Sequence, residues 1–159
     1  MRRFLGSSRS RLFAFSGVLA LGWLVSAGAS FQAQQAPISI TVYKTATCGC
    51  CSNWVDHLRT HNFEVRAVDV EDIQTVKRTY GVPAELGSCH TAVVGGYVVE
   101  GHVPGTAVAR MLKEKPAIVG IAVPGMPVGS PGMEVPGRSQ PYDVVAFDKS
   151  GKREVYERH

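Results

Sequence analysis

Three of the chain's four cysteines stand within four residues, Cys48-Gly49-Cys50-Cys51, and the fourth, Cys89, lies far downstream. What flanks the triplet constrains the fold. Ahead of it, Ile38 to Lys44 (ISITVYK) alternates apolar and polar side chains and is rich in β-branched residues, the pattern of a half-buried strand. Behind it, Cys51, Trp54, Val55 and Leu58 fall at i, i+3, i+4 and i+7. That is the apolar stripe of a helix starting at Cys50 or Cys51 and running to about His61. A thiol cluster therefore sits where a strand turns into a helix. Backbone N–H groups and the positive end of the helix dipole favour thiolate there. Thiolate is the form that binds soft metals and attacks disulfides.

The remaining pattern completes a small α/β unit. Phe63 to Val70 reads as a second strand, and Asp72 caps a helix over Ile73 to Tyr80 that Gly81 ends. Thr91 to Val94 and Tyr97 to Glu100 are short strands around Gly95-Gly96, a hairpin signal. Pro104-Gly105 opens a third helix through Met111 and Leu112, stopped by Pro116. The order β-α-β-α-β-β-α, with Cys48 and Cys51 as a C-x-x-C after the first strand, predicts a thioredoxin-like α/β fold over residues 38–115. In that fold the loop before the third strand lies beside the C-x-x-C, and Cys89-His90 occupies it. The two thiol-bearing segments are expected to converge, an expectation resting on fold analogy.

Residues 116–159 are expected to be a Pro/Gly-rich loop and a C-terminal β-hairpin packed on the same domain. Six prolines (116, 124, 127, 131, 136, 141) argue against helix or central strand in the first part. The stretch carries an internal echo, Pro124-Gly125-Met126 and Pro131-Gly132-Met133. Tyr142 to Phe147 and Arg153 to Tyr156, around Lys149-Ser150-Gly151, read as the hairpin.

Residues 1–29 read as an address. Arg2, Arg3, Arg9 and Arg11 precede an apolar run from Leu12 to Val25, and small residues ending in Ala27-Gly28-Ala29 follow. This is the layout of an export signal cut after Ala29 or after Ala33; the alternative is a retained membrane anchor. Either way the rest, after a linker over 30–37, is exported and expected to be periplasmic, touching a membrane only through an uncleaved N-terminus. Outside the cytosol disulfides persist. The four arginines also account for the formal charge of +4, because acids and bases balance beyond them. With no basic excess or Lys/Arg run on the folded part, nucleic acid is not an expected partner. A composition 45% hydrophobic and 19% charged excludes a disordered polyelectrolyte.

Four cysteines allow three full pairings, and the sequence does not choose among them. Purely structural disulfides would make poor use of three thiols in four residues. Crowded thiolates suit Cu(I), which accepts two or three sulfurs and needs no carboxylate; by charge alone, four could balance up to about four such ions. Zinc would accept Cys₄, or Cys₃ with His90, though the usual spacing of repeated C-x-x-C is absent. A second chemistry is thiol–disulfide exchange, with Cys48 as exposed nucleophile and Cys51 as resolving thiol. A zinc-stapled interaction module is a third. His90 and His102 are auxiliary candidates; His90 is expected to point away from Cys89 if the strand has already begun. Met126 and Met133 offer soft thioethers, although filling an apolar gap is the commoner role of methionine. His57 and His61, four apart on the first helix, read as two solvated histidines. Trp54 and Met111 read as core. No phosphate loop, nucleophile elbow or paired-carboxylate motif is present.

Several segments carry a resemblance in matching order. They are Val42-Tyr43-Lys44 through Cys51, Tyr80-Gly81-Val82-Pro83, Ser88-Cys89-His90-Thr91, Glu100-Gly101-His102-Val103-Pro104 and Val123-Pro124-Gly125-Met126-Pro127. Together they resemble the CopG-like copper-resistance proteins, small exported proteins with a C-x-C-C motif long catalogued as a family of unknown function. The resemblance implies a thioredoxin-like fold, a periplasmic location, Cu(I) bound by Cys48, Cys50, Cys51 and Cys89, and a role in copper handling with redox cycling beside other periplasmic copper-handling proteins. His102 and Met126 match family motifs without a fixed role. One departure from thioredoxin itself counts against simple reductase activity: Cys50 stands where proline usually precedes the second cysteine, and a third thiol traps a mixed disulfide or a metal.

Overall fold

The structure, a computed structural model, describes residues 36–159. The export signal or anchor expected over 1–29, and most of the 30–37 linker, lie outside the described residues. Among the described residues no helix is long and apolar enough to cross a membrane.

The alternating segment forms β1 (Ile38–Lys44), and the amphipathic one forms α1 (Gly49–Thr60). β2 (Phe63–Asp69) pairs parallel to β1, residue 38 opposite 63 through 44 opposite 69. Asp72 caps α2 (Ile73–Thr79), its carboxylate accepting from the amides of Gln74 and Thr75. A single 3₁₀ turn, Ala84–Leu86, follows. β3 (Thr91–Val94) and β4 (Tyr97–Glu100) turn through Gly95-Gly96, both at positive φ, as a tight turn between strands requires. β3 also pairs antiparallel with β1. α3 (Gly105–Glu114) then leads to β5 (Gly120–Ala122), β6 (Asp143–Phe147) and β7 (Arg153–Arg158). One seven-stranded sheet results, in the order β2-β1-β3-β4-β5-β6-β7.

β5 corrects an expectation. Proline density was expected to bar a central strand from the 116–141 segment, yet β5 lies inside the sheet, parallel to β4 and antiparallel to β6. The prolines bracket residues 117–123 without entering them, and Ile121, Ala122 and Val123 are fully buried. Residues 116–159 therefore extend the sheet of the first part rather than only packing on it.

Strand alternation divides the core between the two sheet faces. Ile40, Val42, Val99, Ile121, Val144 and Ala146 pack with Trp54, Val55 and Leu58 of α1 and with Ala107, Val108 and Met111 of α3. Their strand neighbours Val98, Ala122 and Phe147 face the other way, toward Leu86, Tyr80 and Val82. Trp54 is completely buried and donates its indole N–H to the Val103 carbonyl at 2.8 Å. It ties the helix below the cysteines to the residue after His102. Truncating such a side chain costs about 3–5 kcal/mol.

Candidate metal centre

The turn between β1 and α1 is closed by the Cys48 amide donating to the Thr45 carbonyl, and Cys48 is the N-cap residue of α1. No acidic residue occupies the first turn, so the dipole's positive end is not neutralised locally. Cys50 lies in that turn, partly exposed, and Cys51 points inward, fully buried. Cys89 arrives from the loop ahead of β3. The expected convergence is found: Cys50 and Cys89 sulfurs lie 3.9 Å apart, those of Cys51 and Cys89 3.3 Å, and those of Cys48 and Cys50 3.5 Å. All four sulfurs lie within 4.8 Å of one another. Cys48 and Cys51 are joined as a disulfide, and Cys50 and Cys89 are free thiols. Burial first, then the neighbouring Cys50, pushes the Cys89 thiol up to about 12. A bound cation would reverse this, since a coordinating thiol is deprotonated outright.

Two histidines join Cys89. His102 Nε2 lies 3.1 Å and His90 Nδ1 3.3 Å from its sulfur. His90 therefore does not point away, as expected from strand alternation. β3 begins only at Thr91, so the Cys89-His90 pair is still loop. Both rings are fully buried, and burial lowers both histidines' pKa values, His90's the further. Neutral imidazole is the form that coordinates metal. His57 and His61 are half-buried rather than simply solvated as expected: their rings lie 4.3 Å apart, tilted by 40°, and His57 Nε2 accepts the Gly105 amide at the head of α3. They belong to the scaffold.

The Pro/Gly loop closes over the cysteines. The Pro131 carbonyl accepts from His102 Nδ1 at 2.8 Å. Gly132, at φ +83°, lies so close that a Cβ there would stand 2.8 Å from the Cys50 carbonyl and the Trp54 amide. Met133 is half-buried behind it, whereas Met126 is 52% exposed on the first Pro-Gly-Met turn. That turn docks on the loop leading to Cys89, with the Gly125 amide on the Gly87 carbonyl and the Ser88 hydroxyl on the Gly125 carbonyl.

Sequence reasoning missed Lys77 and Glu100. Both are buried and form an ion pair beneath the Cys89 loop. Glu100 Oε1 also accepts the Ser88 amide at 2.6 Å, and Oε2 the Thr91 hydroxyl at 2.7 Å. One carboxylate thus holds the residues on both sides of Cys89-His90. The available signal was Glu100 ending a strand whose other residues are apolar. Lys77 gave none, since it follows the charge pattern of an exposed helix.

Residues 86–133 match the family model described as "Protein of unknown function, DUF411". No curated protein matches the chain. Two solved structures, "Copper resistance protein copG- Form 1" and "Copper resistance protein copG- Form 2", are each 45% identical. Each alignment covers 77% of this chain and 98% of the other, with a TM-score of 0.74. Similarity at that level over nearly the whole of the solved chains, together with a four-cysteine cluster able to hold a metal ion, establishes that the chain belongs to the CopG family of copper-resistance proteins.

Proposed function

We propose that this chain is an exported Cu(I)-binding protein of copper resistance, with Cys48, Cys50, Cys51 and Cys89 as the copper ligands. The observation carrying the reading is the meeting of four sulfurs from two separate loops within 4.8 Å, with no carboxylate among them. An all-sulfur set selects soft, closed-shell Cu(I) over harder ions. The parallel β1–β2 pair joined through α1, with β3 and β4 added antiparallel in the order β2-β1-β3-β4, supports a thioredoxin-like reading of the frame. The antiparallel β6–β7 pair supports reading the tail as a hairpin. Periplasmic location rests on the arginine-led apolar segment ahead of residue 30. A redox role fits the same cysteines: oxidising Cys48 and Cys51 thiolates to their disulfide releases two electrons, which reduce two Cu(II) to two Cu(I).

The test is anaerobic titration of reduced protein with Cu(I) against a competing Cu(I) chelator. Binding that withstands the chelator and is lost in Cys89→Ser supports the reading. Binding no stronger than that of a cysteine-free variant overturns it, and zinc alone in protein isolated anaerobically from its own cell compartment would assign the site to zinc.

A second reading, thiol–disulfide exchange by Cys48 and Cys51, is favoured by the disulfide itself, which joins a half-exposed sulfur at the helix cap to a buried one. Turnover of a protein disulfide in copper-free buffer, abolished in Cys48→Ser, would support it.

A further inference from the structure

Cys89 belongs to two donor sets. Besides the four sulfurs, it groups with His90 and His102, whose ligand atoms also lie within 4.8 Å of one another. The second set uses neither Cys48 nor Cys51, so it survives when those two are tied up as a disulfide.

The protons around Cys89 show what this set is built for. A carbonyl only accepts, so His102 must donate Nδ1–H to Pro131. That fixes the tautomer and leaves the Nε2 lone pair facing the Cys89 sulfur at 3.1 Å. A metal-ligating histidine is held in this way, its outer nitrogen bonded to a carbonyl and its inner lone pair free. His90 presents Nδ1 to the same sulfur, while its Nε2 is buried without a hydrogen-bond partner. A neutral thiol can donate its one proton to His102 Nε2 while its sulfur weakly accepts from His90 Nδ1–H, so both ring nitrogens that face the sulfur are matched to it. His90 Nε2, on the far side of the ring from the sulfur, is unpaired whichever tautomer the ring takes. A buried polar atom in that state is costly, and next to Trp54, 4.3 Å away ring to ring, an apolar side chain would pack better. The sulfur–nitrogen separations of 3.1 and 3.3 Å are within a few tenths of an ångström of the ~3.5 Å separating thiolate and imidazole ligands around a tetrahedral ion.

We propose that Cys89, His90 and His102 form a second metal-binding pocket of one sulfur and two imidazole nitrogens, which retains a single divalent ion of Cu(II) or Zn(II) type when Cys48 and Cys51 are oxidised. This deepens the proposed function and rests on it for the copper context. Two nitrogens and one sulfur suit a borderline divalent ion, whereas four sulfurs suit Cu(I). The cluster thus has a donor set for each cysteine redox state, with Cys89 common to both.

The probe is Co(II), whose visible spectrum reports coordination number and sulfur ligation. It is titrated into two full-length proteins: oxidised wild type, with its Cys48–Cys51 disulfide verified by mass spectrometry, and the reduced variant C48S/C50S/C51S. Each is expected to bind one Co(II) with the intense d–d bands of a four-coordinate ion and a sulfur-to-metal charge-transfer band. Adding Cys89→Ser should remove the charge-transfer band, and adding His102→Asn should weaken binding at least tenfold with the fold intact by circular dichroism. If the triple variant does not fold, the oxidised wild type and its His102→Asn form carry the test. Folded protein binding Co(II) no better than its Cys89→Ser derivative overturns the proposal. Cu(I) binding by reduced wild type is read separately, so failure of the nitrogen-containing pocket is distinguishable from failure of the sulfur cluster.

Discussion

Glu100 accepts the backbone amide of Ser88 at 2.6 Å, and this bond fixes the residue immediately before Cys89. The same carboxylate pairs with the Lys77 ammonium inside the protein and takes the hydroxyl of Thr91. The loop delivering Cys89 is thus anchored to a buried charge rather than to a strand.

Removing one partner of such a pair strands the other charge, at a cost of about 3–5 kcal/mol. Glu100→Ala is therefore expected to lower unfolding free energy by that amount in urea titration. The folded fraction should also bind copper more weakly, because the Ser88 amide loses its acceptor. Lys77→Met/Glu100→Gln should recover much of the stability, since no unpaired charge is left. If Glu100→Ala unfolds within about 1 kcal/mol of wild type, the pair is not anchoring the loop.

Gly132 supplies a sharper steric test. A methyl group there would meet the Cys50 carbonyl and the Trp54 amide at 2.8 Å, both backbone atoms of the helix start, at a positive φ as well. Gly132→Ala should cost about 1–3 kcal/mol and pull Pro131 away from His102, which the His102 ring nitrogen shifts in NMR would register. Gly151→Ala is the control. Its φ is +86° but nothing lies within 4 Å of the added carbon, so only the backbone cost of about 1 kcal/mol is expected. Equal losses from the two substitutions would contradict close packing of the loop on the cysteine turn.

These positions show what was legible in the sequence. Periodicity places β1, α1, β3 and β4 because each buries one face, and the face repeats every 2 or every 3.6 residues. The Cys48–Cys51 triplet is legible because its chemistry is rare. β5 was hidden by counting prolines over a window instead of locating them. His90 was misplaced because side-chain alternation was extended one residue ahead of β3. Lys77, and its pairing with Glu100, were invisible for another reason: a pairing between a helix and a strand 23 residues apart leaves no local pattern. The closure of the 131–132 turn over Cys50 is likewise a property of the assembled fold.

His57 carries a pH prediction. Its Nε2 accepts the Gly105 amide at 3.0 Å, standing in for the missing cap of α3, whose own N-cap residue, Pro104, offers no side-chain bond. Burial, then the nearby His61, lowers its pKa from 6.5, while Glu134 opposes the shift. The unfolded chain therefore binds the proton more readily than the folded one. The stability contributed is complete above the unfolded value of 6.5 and is lost as pH falls through the lower folded value. His57→Gln should keep an acceptor for Gly105 while removing the titration, so its thermal midpoint should fall less than wild type's between pH 7 and pH 5. His57→Ala should cost about 1 kcal/mol at pH 7 through the lost cap. Parallel pH profiles for wild type and His57→Gln would show that other groups carry the effect.

Cys89 is the thiol whose reactivity best reports the state of the centre. With the Cys48–Cys51 disulfide formed, it and Cys50 are the only free thiols of the chain. At pH 8 a thiol pushed up to about 12 has roughly three orders of magnitude less thiolate than an ordinary one near 8.5. Iodoacetamide followed by peptide mass mapping should therefore modify Cys50 first and leave Cys89 nearly untouched until the protein is denatured. Glu100→Ala, by releasing the Ser88 anchor, should speed Cys89 alkylation at least tenfold in folded protein. Rates for Cys89 as fast as those of a denatured control would mean that it is not held in the cysteine cluster.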